Sequence, residues 1–524
     1  MRARNRWGWG FEDAAFSTAD ARAAAPGLVG LLGFGETEPE EPAPFDPSAL
    51  PEPRIASPPH LDGICTANPA ARAAHARGQS YLDTVRGLRG RYEHLPDVVA
   101  RPRDTREIED VLEWAGAANA AVIPYGGGTS VVGGVEPRVP DRFDGAVTID
   151  LGAIDKLREV DVVSRAARIG AGASGPRIEE QLAAHGLTLR FFPQSFELST
   201  LGGWIATRAG GHFATHLTHI DDLVESVRAV GPAGDWVSRR LPGSGAGPSP
   251  DRMLLGSEGI LGLITEAWVR VRPRPIHRAG RAVRFASFLG GAEAVRALAQ
   301  SELEPANCRL IDALEAAQYG AGAGRDALLT LGFESADHPV DPWLGRALEI
   351  CREHGGDWDE DGGEAGSGGA LGSWREAFFR MPYLRDLLVR LGVFTDTFES
   401  AVTWERFPAF HASVTEAVAA ALGEPCRVTC RLTHVYPDGP APYFTVLAPA
   451  RRGDEVAQWH EMKAAAGRAI LDAGGTITHH HGVGRDHRPW YDTQRPDAFA
   501  AALRAAKGAL DPAGLLNPGV LIDP

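Results

Sequence analysis

The sequence predicts an α+β protein with two domains, and three observations support this. The chain of 524 residues is longer than a single hydrophobic core normally serves. From Arg91 to about Pro275, short β-branched runs alternate with helix-like stretches. From about Ile276 the pattern changes to amphipathic helices separated by strands, which indicates a second domain with a sheet backed by helices.

The chain divides into four segments. Residues 1–60 are expected to form a leader and a connector, because residues 36–60 hold eight prolines, and folded structure should resume near residue 60. Residues 61–275 are assigned to the first domain and residues 276–484 to the second. Residues 485–524 form a C-terminal segment.

Hydrophobic periodicity predicts the individual elements. In the first domain it predicts strands at Ala121–Pro124, Ala146–Ile149, Ala167–Ile169, Leu223–Val230 and Leu263–Val271, and helices at Thr105–Ala118 and Pro176–His185. In the second domain it predicts helices at Gly290–Leu303, Pro342–His354, Phe407–Leu422 and Asp454–Ala473, and strands at Leu328–Phe333 and Tyr443–Ala448. A last helix is predicted over Arg495–Leu516, ended by Asn517-Pro518-Gly519.

Composition excludes several classes of protein. The chain is 44% hydrophobic and 23% charged, which is typical of a soluble globular protein. Its net charge of −15 argues against a nucleic-acid partner, because no basic stripe offsets it. The five cysteines include no C-x-x-C pair, so buried thiols in a reducing compartment are expected. With no apolar signal segment at the N-terminus, a cytoplasmic location is expected.

The glycine-rich run 124–134 is the first candidate binding segment. It follows a predicted strand, and glycines allow the close backbone approach that an anion-binding turn needs. No Lys-Ser/Thr follows, as a Walker loop requires, and Val131 occupies the third glycine position of a Rossmann turn. A surface turn is the alternative. The candidate ligands of a dinucleotide pyrophosphate are Pro124, Gly126, Gly127, Gly128, Thr129, Ser130 and Gly134.

Two further segments rich in small residues follow, at Pro193–Trp204 and Leu255–Glu266. In this order, the three segments resemble those of flavoproteins of the vanillyl-alcohol oxidase (PCMH-type) family. The resemblance implies FAD, with its pyrophosphate on the first segment and its ribityl chain and isoalloxazine along the other two. The additional cofactor-binding residues it implies are Pro193, Ser195, Ser199, Thr200, Gly202, Gly203, Trp204, Thr207, Glu258, Gly259, Gly262 and Ile264.

The second domain carries an unusual histidine run, His479-His480-His481, after strand-like residues 476–478. In a strand, His479 and His481 would share one face and His480 would point to the other. A zinc site would need a further ligand pattern, and neither a C-x-x-C pair nor an H-E-x-x-H helix is present, so no metal is expected. Structural histidines are the second alternative, and acid/base or oxyanion chemistry is favoured.

The strand-like run Cys426–Tyr436 alternates with period two, which places Arg431 on a polar face and Cys430 on an apolar one. Arg309 and Arg385 also lie inside apolar runs. Each could pair with a nearby aspartate, but together with the histidines they favour a small-anion site.

These second-domain residues narrow the resemblance to the alkyldihydroxyacetonephosphate synthase family. It implies a two-subdomain PCMH-type FAD-binding domain, a second α/β substrate (cap) domain with an antiparallel sheet, and a C-terminal segment that returns to the FAD domain. The implied reaction exchanges the acyl group of acyl-dihydroxyacetonephosphate for a long-chain alcohol, through an adduct at flavin N5 and with no net redox change.

The resemblance also implies residue roles. Tyr443 would transfer the proton at substrate C1, and the histidine run, His480 foremost, would take the proton of the alcohol. Arg385 would stabilise the flavin and Tyr443, while Arg309 and Arg431 would bind the phosphorylated substrate. FAD is expected to be non-covalent, because Thr129 and Ser130 stand where covalent relatives have a histidine.

The expected partners are the phosphorylated lipid and the alcohol, with peripheral membrane contact and a homodimer. The main rival function is an FAD-dependent 2-hydroxy acid (lactate or 2-hydroxyglutarate) dehydrogenase or oxidase. A non-enzymatic FAD-bound interaction protein is disfavoured, because the anion face and the histidines would then have no task.

Overall fold

The computed structural model describes residues 2–318, 324–359 and 370–523, with side chains in the last range described from Arg380 onward. Its first half contains seven helices among these residues: α1 Thr18–Leu32, α2 Pro69–Ala74, α3 Tyr81–Leu88, α4 Thr105–Ala117, α5 Gly175–Ala183, α6 Leu201–Thr207 and α7 Pro250–Leu254. Its strands are β1 Cys65–Thr66, β2 Val98–Ala100, β3 Ala120–Tyr125, β4 Gly145–Asp150, β5 Leu157–Asp161, β6 Ala166–Gly170, β7 Leu187–Thr188, β8 Val224–Gly231, β9 Gly234–Val237, β10 Leu263–Arg270 and β11 Arg272–Pro273.

The first domain has two main sheets. A four-stranded sheet in the order β1-β2-β4-β3 has its last three strands parallel, and helix α4 buries Ile108, Val111 and Ala115 against it. Asp104 begins that helix by accepting a hydrogen bond from the backbone N–H of Glu107 at 3.0 Å. A five-stranded antiparallel sheet has the order β5-β6-β10-β8-β9. The two sheets correspond to the two expected subdomains.

The second domain is one six-stranded antiparallel sheet backed by helices. Its strands are β12 His277–Phe285, β13 Asn307–Ile311, β14 Ala327–Ser335, β15 Val393–Glu399, β16 Arg427–Val435 and β17 Pro440–Pro449, in the order β12-β14-β13-β16-β17-β15. The helices are α8 Phe288–Ala299, α9 Ala313–Gln318, α10 Asp341–Glu353, α11 Ala370–Arg390, α12 Phe407–Leu422 and α13 Glu455–Asp472. Helices α8, α10, α12 and α13 pack on one face of the sheet, around a shared apolar core.

The N-terminal segment is folded well before residue 60, so the expectation that structure resumes there is wrong. Trp9 is 4% exposed, and its backbone N–H donates to the Asp386 carboxylate on α11. Ala21 and Ala25 of α1 pack against Leu387 of α11 and against Leu391, which directly follows α11. The apolar residues of this segment thus complete the surface of the second domain rather than forming a free leader.

The C-terminal segment packs on the first domain. The backbone N–H of Val122 in β3 donates to Leu515, and that of Asn517 donates back to Val122, both at 2.8 Å. The buried ammonium of Lys507 donates to Asp511 at 2.6 Å and to the carbonyl oxygen of Ile260 at 2.8 Å. A buried charge needs such partners, so the segment is held in one position.

Most predicted elements are confirmed to within two residues, and three predictions are wrong. The helix predicted over Arg495–Leu516 is shorter, α15 Asp497–Leu510, and Asp511 after it is not helical. A separate helix, α14 Arg488–Gln494, precedes it, and Arg495 between the two is extended because it stands before Pro496. Helix α8 ends at Ala299 rather than at Leu303. Glu302, inside the predicted range, has a φ of 62°, which is not a right-handed helical conformation. Residues 476–478 are not a strand.

Among the described residues, no helix is both long and apolar enough to cross a bilayer.

Candidate active site

A cleft between the two domains collects most of the predicted site residues. Its volume is about 320 Å³, and its walls come from the first two glycine segments, the six-stranded sheet and helices α1 and α11. The predicted residues that line it are Gly126, Gly127, Gly128, Thr129, Ser130, Pro193, Ser195, Ser199, Thr200, Gly203, Trp204, Thr207, Arg309, Arg385, Arg431, Tyr443, His480 and His481.

The first glycine segment offers open hydrogen-bond donors to the cleft. Across the described part of the chain, no atom accepts a hydrogen bond from the backbone N–H groups of residues 126–131, and all of these residues line the cleft. A Cβ atom at Gly127 would lie 2.1 Å from the carbonyl oxygen of Leu198, and Gly128 has a φ of 66°. Only glycine fits there. Such a row of unpaired donors suits the oxygens of a pyrophosphate.

The second glycine segment lies directly against the first. The residue that caps α6, Thr200, is so close to the first segment that a Cβ at Gly126 would lie 2.3 Å from its hydroxyl. Ser199 accepts hydrogen bonds from the indole N–H of Trp204 at 2.7 Å and from the Ser195 hydroxyl at 3.0 Å. These contacts fix the polar groups of the wall along which the rest of a dinucleotide would lie.

The third segment lies behind the cleft wall. The buried carboxylate of Glu258 accepts hydrogen bonds from the backbone N–H groups of Val483 at 2.7 Å and Gly484 at 2.8 Å, which ties the end of the histidine run to the first domain. Burial raises the pKa of Glu258 to about 7, against the effect of these two donors. The predicted cofactor residues that do not line the cleft are Pro124, Gly134, Gly202, Glu258, Gly259, Gly262 and Ile264.

Tyr443 lies in a row of three functional side chains across the six-stranded sheet. Cross-strand pairing places Glu399 of β15 opposite Tyr443 of β17, and Tyr443 opposite Arg431 of β16. Directly opposed residues point to the same face of a sheet. The guanidinium carbon of Arg431 lies 4.0 Å from the centroid of the Tyr443 ring, within cation–π range. Arg431 is therefore an arginine that stacks on Tyr443, and the role expected of Arg385 stays a prediction.

Arg431 is itself held by a buried acid. Glu315 of α9 is fully buried, forms an ion pair with Arg431 and accepts a hydrogen bond from Thr429 at 3.2 Å. Burial raises the pKa of Tyr443, while the positive charge of Arg431 acts to lower it. Tyr443 is consequently a phenol at rest, with its hydroxyl donating to Thr397 at 3.0 Å, and Arg431 would stabilise a phenolate if one formed.

The histidine run is organised by one buried carboxylate. Glu399 is 1% exposed and accepts hydrogen bonds from the backbone N–H groups of His479, His480 (3.2 Å) and His481 (2.9 Å), and from the Thr478 hydroxyl (2.7 Å). Successive N–H groups of a strand point in opposite directions and could not share one acceptor. The predicted alternation of faces is therefore wrong. His480 and His481 both line the cleft, and both rings lie beside Tyr443.

Burial acts to raise the pKa of Glu399, but neighbouring His481 and His479 and the hydrogen bonds from Thr478 and the His479 backbone hold it below the ordinary carboxyl value. The opposite effect acts on the rings. Burial and the surrounding imidazoles lower the pKa of His479 and His480 well below the ordinary histidine value. Both rings are therefore neutral at rest.

His479 turns away from the cleft. Its Nε2 atom lies 2.7 Å from the Tyr436 hydroxyl and 3.1 Å from Nε2 of His219, and its Nδ1 atom lies 3.0 Å from Nδ1 of His480. Nearby, buried His434 contacts the carbonyl oxygen of Gly211 through Nε2 at 3.0 Å.

Within the described ranges, two groups of side chains have ligand atoms close enough to hold a metal ion: His434 with His479 and His480, and Glu399 with His480 and His481. In the first group, the Nδ1 atoms of His479 and His480 lie 3.0 Å apart, which is a hydrogen-bond distance. We interpret both groups as a hydrogen-bonded cluster, and the absence of a metal stays a prediction.

The two remaining arginines lie in the cleft wall. Arg309 is 6% exposed on β13 and donates to the carbonyl oxygen of His212 at 3.4 Å. The acid near it in sequence, Asp312, accepts backbone hydrogen bonds from Cys430 and Glu315. Arg385 on α11 donates to the carbonyl oxygen of Gln79 at 2.6 Å and lies 3.5 Å from Asp386. The simple pairing with a neighbouring acid thus describes Arg385 better than Arg309.

Sequence reasoning missed Glu315, Glu399 and His219. Glu399 had a signal, because it is an acid that ends the strand-like run 393–398. Glu315 lies on a short helix whose pattern does not distinguish it from a surface acid. His219 belongs to the first domain, and only the folded chain brings it to the histidine run.

We expect Glu399→Gln to lower the free energy of unfolding by about 1.5–3 kcal/mol, since a hydrogen bond to a charged acceptor contributes that much. The folded-state pKa is lowered, so the contribution is fully present above the unfolded value of about 4.3 and is lost as pH falls through the folded-state value. Urea unfolding at pH 7 and pH 5 should give the same loss. Glu405→Gln, at an exposed position, is the control, and an equal effect of the two substitutions would contradict this role.

Comparison with known proteins is consistent with this geometry. Residues 96–239 match the family model described as FAD binding domain, and residues 274–521 match the model described as FAD linked oxidases, C-terminal domain. An alkyldihydroxyacetonephosphate synthase of Caenorhabditis elegans is 31% identical over 86% of this chain and 80% of its own length. One of Dictyostelium discoideum is 30% identical over 86% of this chain and 77% of its own length.

A solved structure named alkyldihydroxyacetonephosphate synthase superposes with a TM-score of 0.81, at 24% identity, and covers 98% of this chain and 97% of that chain. The predicted fold class, an FAD-binding domain followed by a second domain with an antiparallel sheet, is confirmed. FAD is confirmed as the cofactor. From the extent and identity of these matches, the chain belongs to the alkyldihydroxyacetonephosphate synthase family of FAD-linked proteins.

Proposed function

We propose that this protein exchanges the acyl group of an acyl-dihydroxyacetonephosphate for a long-chain alcohol. The observation that carries the proposal is the row Glu399, Tyr443 and Arg431 beside His480. Tyr443, Arg431 and His480 line the same cleft as the first two glycine segments. Membership of the family supports it independently. FAD, held by the first two glycine segments, would supply the nucleophile for substrate C1.

The chain supplies the proton transfers. C1 lies next to a ketone, so removal of its proton leaves an enolate that needs donors or positive charge nearby. Tyr443 is placed to exchange that proton, and Arg431 over its ring stabilises the phenolate form. His480 is neutral and lines the cleft, so it can accept the proton of the incoming alcohol.

Two parts of the cleft wall suit the two parts of the substrate. Arg309 and Arg431 offer positive charge for a phosphate group. Leu28 of α1, Leu384 and Leu388 of α11 and Leu447 of β17 form an apolar wall of the same cleft, suited to a long hydrocarbon chain. A molecule with one phosphate and one long apolar chain matches both.

FAD is expected to be held without a covalent bond. Thr129 and Ser130 line the cleft in the first glycine segment. This segment contains no histidine or cysteine to which a flavin could be attached. Acid precipitation of the purified protein should therefore release all the flavin into the supernatant, measured by absorbance. Yellow colour retained on the precipitated chain would show a covalent bond.

The exchange should proceed without an electron acceptor, because it involves no net oxidation. Under anaerobic conditions, with acyl-dihydroxyacetonephosphate and hexadecanol, we expect many turnovers that release fatty acid and form the ether. Both products can be measured by mass spectrometry. Tyr443→Phe should lower kcat by about two orders of magnitude or more, as expected for a lost acid/base group. A 2-hydroxy acid dehydrogenase would form no ether, and D-lactate or 2-hydroxyglutarate would bleach its flavin once.

Arg309→Ala should weaken binding of a phosphorylated substrate by about 2–5 kcal/mol, since a buried charge-assisted contact to phosphate is lost. The dissociation constant can be measured from changes in the flavin spectrum on titration with dihydroxyacetone phosphate. Arg278→Ala removes an exposed arginine of the same sheet and is the control. The FAD content of both variants should equal that of the wild type, and wild-type affinity in Arg309→Ala would refute the assignment.

A further inference from the structure

Three histidines form a continuous chain from the cleft to the protein surface. His480 lines the cleft, and its Nδ1 atom lies 3.0 Å from Nδ1 of His479. Nε2 of His479 lies 3.1 Å from Nε2 of His219. Nδ1 of His219 lies 3.0 Å from the carbonyl oxygen of Arg208, and its ring is partly exposed.

The carbonyl of Arg208 fixes the direction of this chain. A carbonyl oxygen only accepts, so the neutral His219 ring carries its proton on Nδ1 and presents an unprotonated Nε2 to His479. In this arrangement His479 carries its proton on Nε2, which faces both His219 and the Tyr436 hydroxyl, so that hydroxyl donates to Thr218. Nδ1 of His479 accepts from Nδ1–H of His480. Each neutral ring has one N–H, so the assignment uses each proton once. It leaves Nε2 of His480, on the far side of that ring from His479, as a base without a proton.

We propose that His480, His479 and His219 form a proton relay that carries the alcohol proton from the cleft to solvent, with His219 as its outer end. Arrival of a proton at Nε2 of His480 would move the Nδ1 proton of His480 to Nδ1 of His479, and the Nε2 proton of His479 to Nε2 of His219. The Nδ1 proton of His219 would then pass to water, because its hydrogen bond to the carbonyl oxygen of Arg208 is exposed. Proton transfer through aligned hydrogen bonds needs no movement of the backbone, and the three rings are held in place by packing.

The proposal rests on the proposed function, and the proton balance of that reaction requires such an exit. The alcohol O–H bond breaks, its oxygen forms the new bond to C1, and the acyl group leaves as a carboxylate. The proton removed from C1 is returned to it. One proton per turnover therefore remains in the cleft, and it must reach water before the next alcohol can be deprotonated.

The groups around His479 suit a proton that passes through this ring without staying on it. The titratable groups that face His479 are Tyr436, His434, His219 and His480, and Glu399 accepts from its backbone. Burial first, and then these imidazoles, lower the pKa of His479, so a proton does not rest there. His219 joins the relay from the first domain, where it follows the histidine-containing stretch 211–216. Tyr436 also contacts Nε2 of His479, but its hydroxyl continues only to Thr218.

The test is His219→Gln in the full-length holoenzyme. Glutamine can hydrogen-bond to His479 but cannot accept a proton at one end of its side chain and release it at the other. We expect kcat for anaerobic ether formation to fall about tenfold to a hundredfold, at the low end for a lost proton-transfer group. FAD content should be unchanged, and the solvent deuterium isotope effect on kcat should rise. Because His219 is partly exposed, added imidazole should restore activity, more strongly for imidazoles of higher pKa.

His216→Gln is the matched control. His216 lies in the same segment, is 58% exposed at its side chain and contacts Glu304 at 3.8 Å rather than the relay. It should have wild-type kcat and no response to imidazole. Tyr436→Phe, which keeps the ring but removes the hydroxyl branch, should retain most of the activity.

Each other outcome decides against the relay. Wild-type kcat in His219→Gln would show that the proton leaves elsewhere. A fall in kcat with no isotope effect and no response to imidazole would give His219 a purely structural role. A stoichiometric metal ion in the wild type that is lost in His219→Gln would show that the rings are ligands. If the wild type itself forms no ether, the proposed function fails, and that result is separate from the variant's behaviour.

Discussion

The arrangement of the cleft depends on one buried carboxylate. Glu399 collects three successive backbone N–H groups and the Thr478 hydroxyl, and in doing so bends residues 479–481 into a turn. The same residue is paired across the sheet with Tyr443. A single side chain thus sets the position of the histidine run relative to the tyrosine. A buried charge is retained only where its partners are well placed, so this site tolerates little displacement.

The second domain positions its functional groups by sheet register. Glu399, Tyr443 and Arg431 lie on three neighbouring strands, and a shift of one residue in any strand would turn one of them to the apolar face. The helices on that face bury a large core, which makes such a shift costly. The stability of the domain and the geometry of the site therefore have the same origin.

The first domain contributes by backbone rather than by side chains. Its glycine segment presents unpaired N–H groups, and the close packing of Gly126 and Gly127 on residues 198–200 excludes side chains there. Arg4 of the N-terminal segment donates to the carbonyl oxygen of Gly127 at 2.9 Å, so residues far apart in sequence hold one turn. The cleft exists only where both domains and the N-terminal segment meet.

The sequence by itself determined the two domains, most helices and strands, the glycine segments and the polar face that carries Arg431. These are local patterns, set by periodicity and by glycine where only glycine fits. Tertiary structure decided what depends on contacts between distant residues. It placed Arg431 on the ring of Tyr443, placed Glu258 behind the cleft wall where it binds residues 483–484, and brought His219 to His479. No local pattern records such pairings, because they follow from sheet register and domain packing.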